Sequence, residues 1–232
     1  MREAKAIGVI PDGNRRFARK HGLSLQEGYL QGVDTLERFV RYVQQKTETK
    51  YMYIYTLSLE NVLKRSKHEL SFLFRLFQKQ AERILTENRY NARIRFIGRR
   101  SVLPKNIQEL MQRVEKRTEK ERDFEMILAV GYTGLAEIVD ATKNIVRKVT
   151  NGELKPEDID ENTVYANLYA PDVPPPDFIL RTSGEQRTSG FLPVQAVYSE
   201  LIFYPKLWPE LTEEDFSAIY AEYRRRERRF GK

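Results

Sequence analysis

The sequence predicts an α/β fold: one domain built on a mostly parallel central sheet of about six strands, flanked by helices. Three observations predict it. Short runs rich in β-branched and aromatic residues alternate with longer stretches whose apolar residues recur every three or four positions. Strands and helices in alternation form crossover units, and crossovers generate parallel sheets. The 232 residues contain no repeat and no Ser/Gly/Pro-rich linker, so a single domain over 1–232 accounts for the chain.

Taken in order, "KAIGVI" (5–10) is apolar, β-branched and closed by Pro11, which predicts a buried strand. A glycine turn then enters a basic segment. Val33, Leu36, Val40 and Val43 follow at helical spacing. "KYMYIYTLSLE" (50–60) predicts the second strand, with the polar stretch "SLENVLKR" at its end. "KHELSFLFRLFQKQAERIL" (67–85) is a helix whose apolar side carries Leu70, Phe72, Leu73, Phe74, Leu76 and Phe77. "ARIRFIG" (92–98) alternates as a strand, "IQELMQRV" is helical, "FEMILAV" (124–130) is a strand and 135–149 a helix. "DFILRT" (177–182) and "ELIFY" (200–204) are the last strands. Thr212 opens a final helix with Phe216, Ile219, Tyr220 and Tyr223 on one face.

Composition excludes several classes. Without cysteine there are no disulfides and no thiolate metal sites, and two distant histidines, His21 and His68, do not make a zinc site. No apolar run approaches the roughly 18–20 residues of a membrane span. The N-terminus lacks the apolar core of a signal peptide. A soluble cytoplasmic protein with at most peripheral membrane contact is expected. The excess of 40 Lys/Arg over 33 Asp/Glu, net +7, points to anionic partners. Nucleic acid is set aside: no RRM, KH or zinc signature is present, and aromatic residues are not interleaved with the basic runs.

Polar clusters sit at the strand termini, where α/β sheets bind ligands. Asp12-Gly13-Asn14-Arg15-Arg16 follows the first strand, Ser58, Glu60, Asn61 and Arg65 the second, and "RTSGEQRTSG" the run "DFIL". Glu200 starts the last strand, and the four clusters are expected on one edge. Guanidinium forks and glycine-turn N–H groups suit phosphate oxygens. A lone carboxylate among cations does not attract an anion by itself. It makes sense at Asp12 if it holds a divalent ion that a phosphate also binds, as Mg²⁺ does.

The stretches "IPDGNRRFARKHG", "SLENVLKR", "RTSGEQRTSGFLPVQAVYSELIF" and the terminal "RRFG", in that order, resemble the cis-prenyltransferases, the undecaprenyl diphosphate synthase family. The resemblance implies a Mg²⁺-dependent enzyme, homodimeric or heterodimeric, that joins isopentenyl diphosphate to an allylic prenyl diphosphate with cis (Z) geometry. It implies Asp12 as the Mg²⁺ ligand, completed by Glu200. Gly13, Asn14, Arg15, Arg16 and Phe17, with Tyr29, would lie at the allylic diphosphate. Arg181, Arg187, Thr188 and Ser189 would bind isopentenyl diphosphate. Ser58, Leu59, Glu60 and Asn61 match a closing loop, Asn61 being linked to proton removal and Arg65 to substrate. Arg229 and Gly231 match a C-terminal motif that reaches the site across the dimer. An apolar tunnel for the growing hydrocarbon is expected beside the helix bearing Phe72, Phe74 and Phe77.

The chain departs from the family pattern at Leu25 and Tyr29, where arginine and histidine are usual. Val62 and Val194 stand at usual tryptophans. One residue is inserted before Arg65, leaving Lys64 as its competitor, and Tyr132 to Leu135 read Y-T-G-L instead of Y-G-G-R. These changes imply altered donor preference, chain length or regiochemistry. Irregular, non-head-to-tail coupling is one alternative, and a non-catalytic partner subunit is another.

Overall fold

The computed structural model describes residues 3–87 and 90–226. Its six strands form one sheet, β1 (Ala6–Ile10), β2 (Tyr51–Ser58), β3 (Arg93–Ile97), β4 (Glu125–Tyr132), β5 (Phe178–Arg181) and β6 (Glu200–Phe203), in the order β3-β4-β2-β1-β5-β6. Every pairing is parallel. Because β1 has β2 on one side and β5 on the other, the chain reverses its direction of winding there. The carboxyl ends of β1, β2 and β5 therefore surround a crevice, the position where open α/β sheets take ligands.

Residue alternation along the strands builds two apolar layers. Ile7, Val9, Met52 and Ile54 face helices α2 (Leu25–Lys46), α4 (Lys67–Glu87), α5 (Lys105–Thr118) and α8 (Glu213–Arg225), through Phe39, Val43, Ile84, Met111 and Phe216. Ile10, Tyr53, Tyr55, Ile127 and Ile179 face the opposite way, onto Ala170, Val173, Phe191 and Leu192. Helix ends follow the expected chemistry: Ser24 and Thr212 cap α2 and α8 in reciprocal capping boxes with Glu27 and Asp215.

Two expectations change and one element is added. The second strand stops at Ser58 instead of running to 60, and the stretch matched to a closing loop opens a six-residue helix, α3 (Leu59–Lys64), because the Ser58 hydroxyl accepts from the Asn61 N–H at 3.1 Å. A further short helix, α7 (Glu161–Ala166), was invisible to periodicity; Asp160 caps it. The other changed expectation concerns Glu200. Register pairs Ile10 with Arg181 and Arg181 with Phe203 at the carboxyl edge, whereas Glu200 pairs with Phe178 at the amino edge. A residue that starts a parallel strand lies on the edge opposite to those that end its neighbours, here three steps of about 3.3 Å away.

Candidate active site

The crevice is a polar pocket of about 670 Å³. Asp12 is set into it by its backbone. Its N–H donates to the Thr182 hydroxyl at 2.9 Å, and its carbonyl accepts from that hydroxyl at 2.7 Å and from the Trp208 N–H at 2.9 Å. Gly13 follows with φ +115°, and a Cβ there would stand 3.0 Å from the Leu207 Cα. Both facts demand glycine. The chain then enters α1 (Asn14–Lys20), packed unusually close to α2: Cβ atoms at Gly28 and Gly32 would lie 2.7 Å from the Ala18 Cβ and 2.0 Å from the Asn14 Oδ1.

Arg181, at the end of β5 and 5% exposed, ties the two phosphate-type loops together. One guanidinium nitrogen donates to the Asp12 carboxylate at 2.8 Å; the other donates to the Arg187 carbonyl and the Ser189 hydroxyl, both at 2.7 Å. Its Nε is buried without a partner among the described residues. Ser183 (φ 75°) and Ser189 (φ 51°) hold left-handed backbone in the same loop, a conformation costly for residues other than glycine. Arg16 reaches Asp12 at 3.5 Å, hydrogen-bonds Ser183, and pairs with Glu185 at 3.1 Å; Glu185 also holds Arg187.

From β2 and α3 come Tyr55, Thr56, Ser58, Glu60 and Asn61, all on the pocket wall. Burial pushes the Tyr55 hydroxyl up to about 12, against a lowering hydrogen bond with Ser58, so it stays protonated at neutral pH. Of the two competing cations, Arg65 lines the pocket, while Lys64 is 78% exposed and pairs with Glu60 at 3.8 Å. Tyr29 accepts a hydrogen bond from Arg65 and donates one to Glu69 at 3.1 Å. Burial raises the Tyr29 hydroxyl above its ordinary value, with Arg65 opposing and Glu69 adding.

Asp12, Gly13, Asn14, Arg15, Arg16, Tyr29, Ser58, Glu60, Asn61, Arg65, Arg181 and Ser189 thus meet in one pocket. Phe17 turns instead onto His21, ring centroids 4.4 Å apart. Arg187 does not line the pocket: its exposed guanidinium pairs with Glu185, and its carbonyl meets Arg181. Thr188 serves the turn, its carbonyl accepting from the Phe191 N–H, and Leu59 is part-buried in α3 off the pocket wall. Glu200 is at the other edge, paired with Arg226 at 3.3 Å, so it and the Asp12 of its own chain do not meet. Arg229 and Gly231 lie outside the described residues.

Sequence reasoning left out Gly32, Glu69, Ser183 and Glu185. Glu185 carried the same signal as Asp12, a single acid between arginines; the others act through contacts with distant segments. Next to the polar pocket lies an apolar cavity of about 240 Å³, walled in part by Leu73, Phe74, Leu76 and Phe77 of α4.

A family model described as "Putative undecaprenyl diphosphate synthase" matches residues 10–231. The chain belongs to this family. It is 39% identical over 231 residues to a tritrans,polycis-undecaprenyl-diphosphate synthase (geranylgeranyl-diphosphate specific) of Pyrococcus horikoshii, covering 98% of this chain and 87% of that protein. An isoprenyl transferase of Thermotoga maritima is 40% identical over 232 residues, covering 100% and 98%. The fold superimposes with a TM-score of 0.91 on the crystal structure of a lavandulyl diphosphate synthase from Lavandula x intermedia in complex with dimethylallyl diphosphate, at 33% identity and 99% of each chain. This cis-prenyltransferase is thus an enzyme of the prenyl diphosphate synthase type. No helix among the described residues is long and apolar enough to cross a membrane.

Proposed function

We propose that this chain joins isopentenyl diphosphate to an allylic prenyl diphosphate in a Mg²⁺-dependent reaction that gives a cis prenyl diphosphate. The observation that carries the reading is the Asp12–Arg181 contact of 2.8 Å at the base of a polar pocket that shares its wall with an apolar cavity. A substrate with a diphosphate head and a hydrocarbon tail matches that pair of chambers.

The donor set suits Mg²⁺. Asp12 Oδ2 is engaged by Arg181 and Arg16, and Oδ1 accepts no hydrogen bond from the described residues. Among the described residues no three His, Cys, Asp or Glu gather to cage an ion. One carboxylate completed by phosphate and water oxygens is the pattern Mg²⁺ prefers. When bound, the ion supplies charge stabilisation to a departing diphosphate.

The chain's own residues do the rest. Arg15 and Arg16 hold the leaving diphosphate, and the Gly13 turn lets backbone approach it. Ser189 lines the pocket for the second diphosphate, Arg187 and Thr188 of the same loop would turn towards it on binding, and Arg181 keeps that loop and Asp12 in fixed relation. As the new carbon–carbon bond forms and the allylic carbon–oxygen bond breaks, a proton leaves the isopentenyl unit towards the diphosphate side. Asn61 orients that region. Apolar walls from α4 shelter the growing chain.

Leu135 (70% exposed) and Val146 (57%) on α6 (Gly134–Thr150), eleven residues apart and so on nearly one face of the helix, are exposed apolar side chains, as is Val197 (63%) ahead of the edge strand β6. An exposed apolar face of this kind suits contact with a second copy of the chain.

The test offers isopentenyl diphosphate with dimethylallyl, geranyl, farnesyl or geranylgeranyl diphosphate, with and without Mg²⁺. The names of the relatives support including the first and last donors. Products sized after dephosphorylation and read by NMR should carry new Z double bonds, only with Mg²⁺. Dimethylallyl diphosphate consumed alone would mean irregular coupling; no product from any pair would mean a partner subunit. Asp12→Ala should lose turnover by orders of magnitude while remaining folded.

A further inference from the structure

Six residues line both the polar pocket and the apolar cavity: Pro11, Asn14, Tyr29, Tyr55, Thr56 and Leu73. Any hydrocarbon attached to a diphosphate at the Asp12–Arg181 contact and extending into the cavity passes this ring. Half of the ring, Pro11, Tyr55 and Thr56, is fixed by the sheet edge, and Asn14, Tyr29 and Leu73 come from helices α1, α2 and α4. Pro11 continues β1, the Thr56 hydroxyl donates to the Ala129 carbonyl at 2.7 Å, and Tyr55 stacks on Phe191 at 4.8 Å. Tyr29 differs from the other helical members because it is held by its tip, through hydrogen bonds of its hydroxyl to Arg65 and Glu69.

The holding group is an ion pair. Arg65 donates to the Tyr29 hydroxyl and to Glu69 at 2.8 Å, and Tyr29 donates to the same Glu69 oxygen at 3.1 Å. The Arg65 guanidinium carbon also lies 5.9 Å from the Tyr29 ring centre, and Phe72 packs on that ring with centroids 6.1 Å apart. Glu69 is 8% exposed, and the Arg65 Nε is buried without a partner among the described residues. Burying two charges is expensive unless geometry and hydrogen bonds compensate, so this pair defines one position for the ring far more sharply than a surface bridge does. The clamp also joins two departures from the family pattern. Tyr29 stands at a usual histidine, and Arg65 is displaced by one inserted residue; the displaced guanidinium finds the new hydroxyl.

We propose that Tyr29, clamped by Arg65 and Glu69, is the residue that sets the girth of the neck between diphosphate pocket and hydrocarbon cavity, and thereby determines which length of allylic donor is accepted. This rests on the prenyl-transfer reading above. A short five-carbon donor keeps most of its atoms on the pocket side of the neck. A twenty-carbon donor must thread it.

The experiment measures dissociation constants of dimethylallyl and geranylgeranyl diphosphates by calorimetry with Mg²⁺, alongside turnover, for the unaltered chain, Tyr29→Phe and Tyr29→Ala. The ratio of the long-donor constant to the short-donor constant should fall about tenfold in Tyr29→Ala. It should fall about threefold in Tyr29→Phe, where the ring remains but the clamp is gone. Glu69→Gln, which keeps an acceptor, should stay nearer to the unaltered chain than Tyr29→Phe does. A purely structural tie between α2 and α4 would lower the melting temperature and leave the ratio alone. Ratios within twofold of the unaltered chain in both tyrosine variants, in protein that binds and turns over, overturn the neck and spare the prenyl-transfer reading. If Tyr29→Ala does not fold, Tyr29→Phe decides. Binding of neither donor by the unaltered chain overturns both.

Discussion

Replacing Gly32 by alanine tests the placement of the diphosphate loop from a residue outside the polar pocket. The added methyl would lie 2.0 Å from the Asn14 Oδ1 and 3.0 Å from its Cγ. Ordinary carbon–oxygen contact needs roughly 3.4 Å or more, so the Asn14 side chain must retreat by about 1.5 Å. It has no easy retreat, since Oδ1 is buried and the amide is already used towards the Pro11 carbonyl at 3.4 Å. Stability changes little, because helix propensity returns up to about 1 kcal/mol while overpacking costs about 1–3 kcal/mol. Catalysis is more sensitive: a 1 Å misplacement of a binding loop costs on the order of a hundredfold. Gly32→Ala is therefore expected to lower kcat/KM about a hundredfold with a melting temperature reduced by less than about 8 °C. Exposed Asp34→Ala on the same helix is the control. In an Asn14→Ala background the Gly32 change should cost almost nothing more, the signature of direct collision. Full activity of Gly32→Ala, or strict additivity in the double variant, would refute the reasoning.

Three further outcomes are expected. Glu137, 1% exposed, accepts hydrogen bonds from the Tyr132 hydroxyl at 2.5 Å, the Tyr169 N–H at 2.9 Å and Gln195 at 3.1 Å; Glu137→Ala strands these donors and should cost about 3 kcal/mol or more in urea unfolding. Burial tends to raise the Asp215 carboxyl, yet hydrogen bonds from Lys206, Tyr204 and the Thr212 backbone outweigh it and hold the group at about 2. Its contribution, about 2 kcal/mol from the size of that shift, is complete above the unfolded value near 4 and lost as pH falls through about 2. Asp215→Asn should accordingly destabilise at pH 7 and converge with the unaltered protein near pH 2. Val146→Asp on α6 should yield monomers in sedimentation velocity if the exposed apolar surface joins two copies; an unchanged sedimentation coefficient would place the interface elsewhere.

The parallel α/β architecture was legible in the chain because alternation, helical spacing and turn residues are local signals. Each of the six expected strands forms within a few residues of its anticipated limits. Short elements were not legible: α3 and α7 have six residues each, too few for a period, and exist because Ser58 and Asp160 cap them. Asp12, Arg16, Arg181 and Ser189 could be anticipated as one pocket because each lies at the carboxyl end of a strand or in the segment that leaves it, and a parallel sheet delivers strand ends to one edge.

Glu200 shows where that inference needs three dimensions, since a strand's start and end look alike in composition but lie on opposite edges. Gly32 and Glu69 show the same for helices. Their importance comes from Asn14 and from Tyr29, 18 and 40 residues away respectively, and no periodicity encodes a distance across the core. The amino-acid sequence by itself determined which elements form and which chemistry crowds their ends, because those follow from neighbours along the chain. Tertiary structure alone decided which of those groups touch: that Arg65 rather than Lys64 turns inward, that Tyr29 is clamped, and that Arg181 rather than Arg187 holds Asp12. Packing of helices on the sheet sets those contacts, and packing is a property of the whole core.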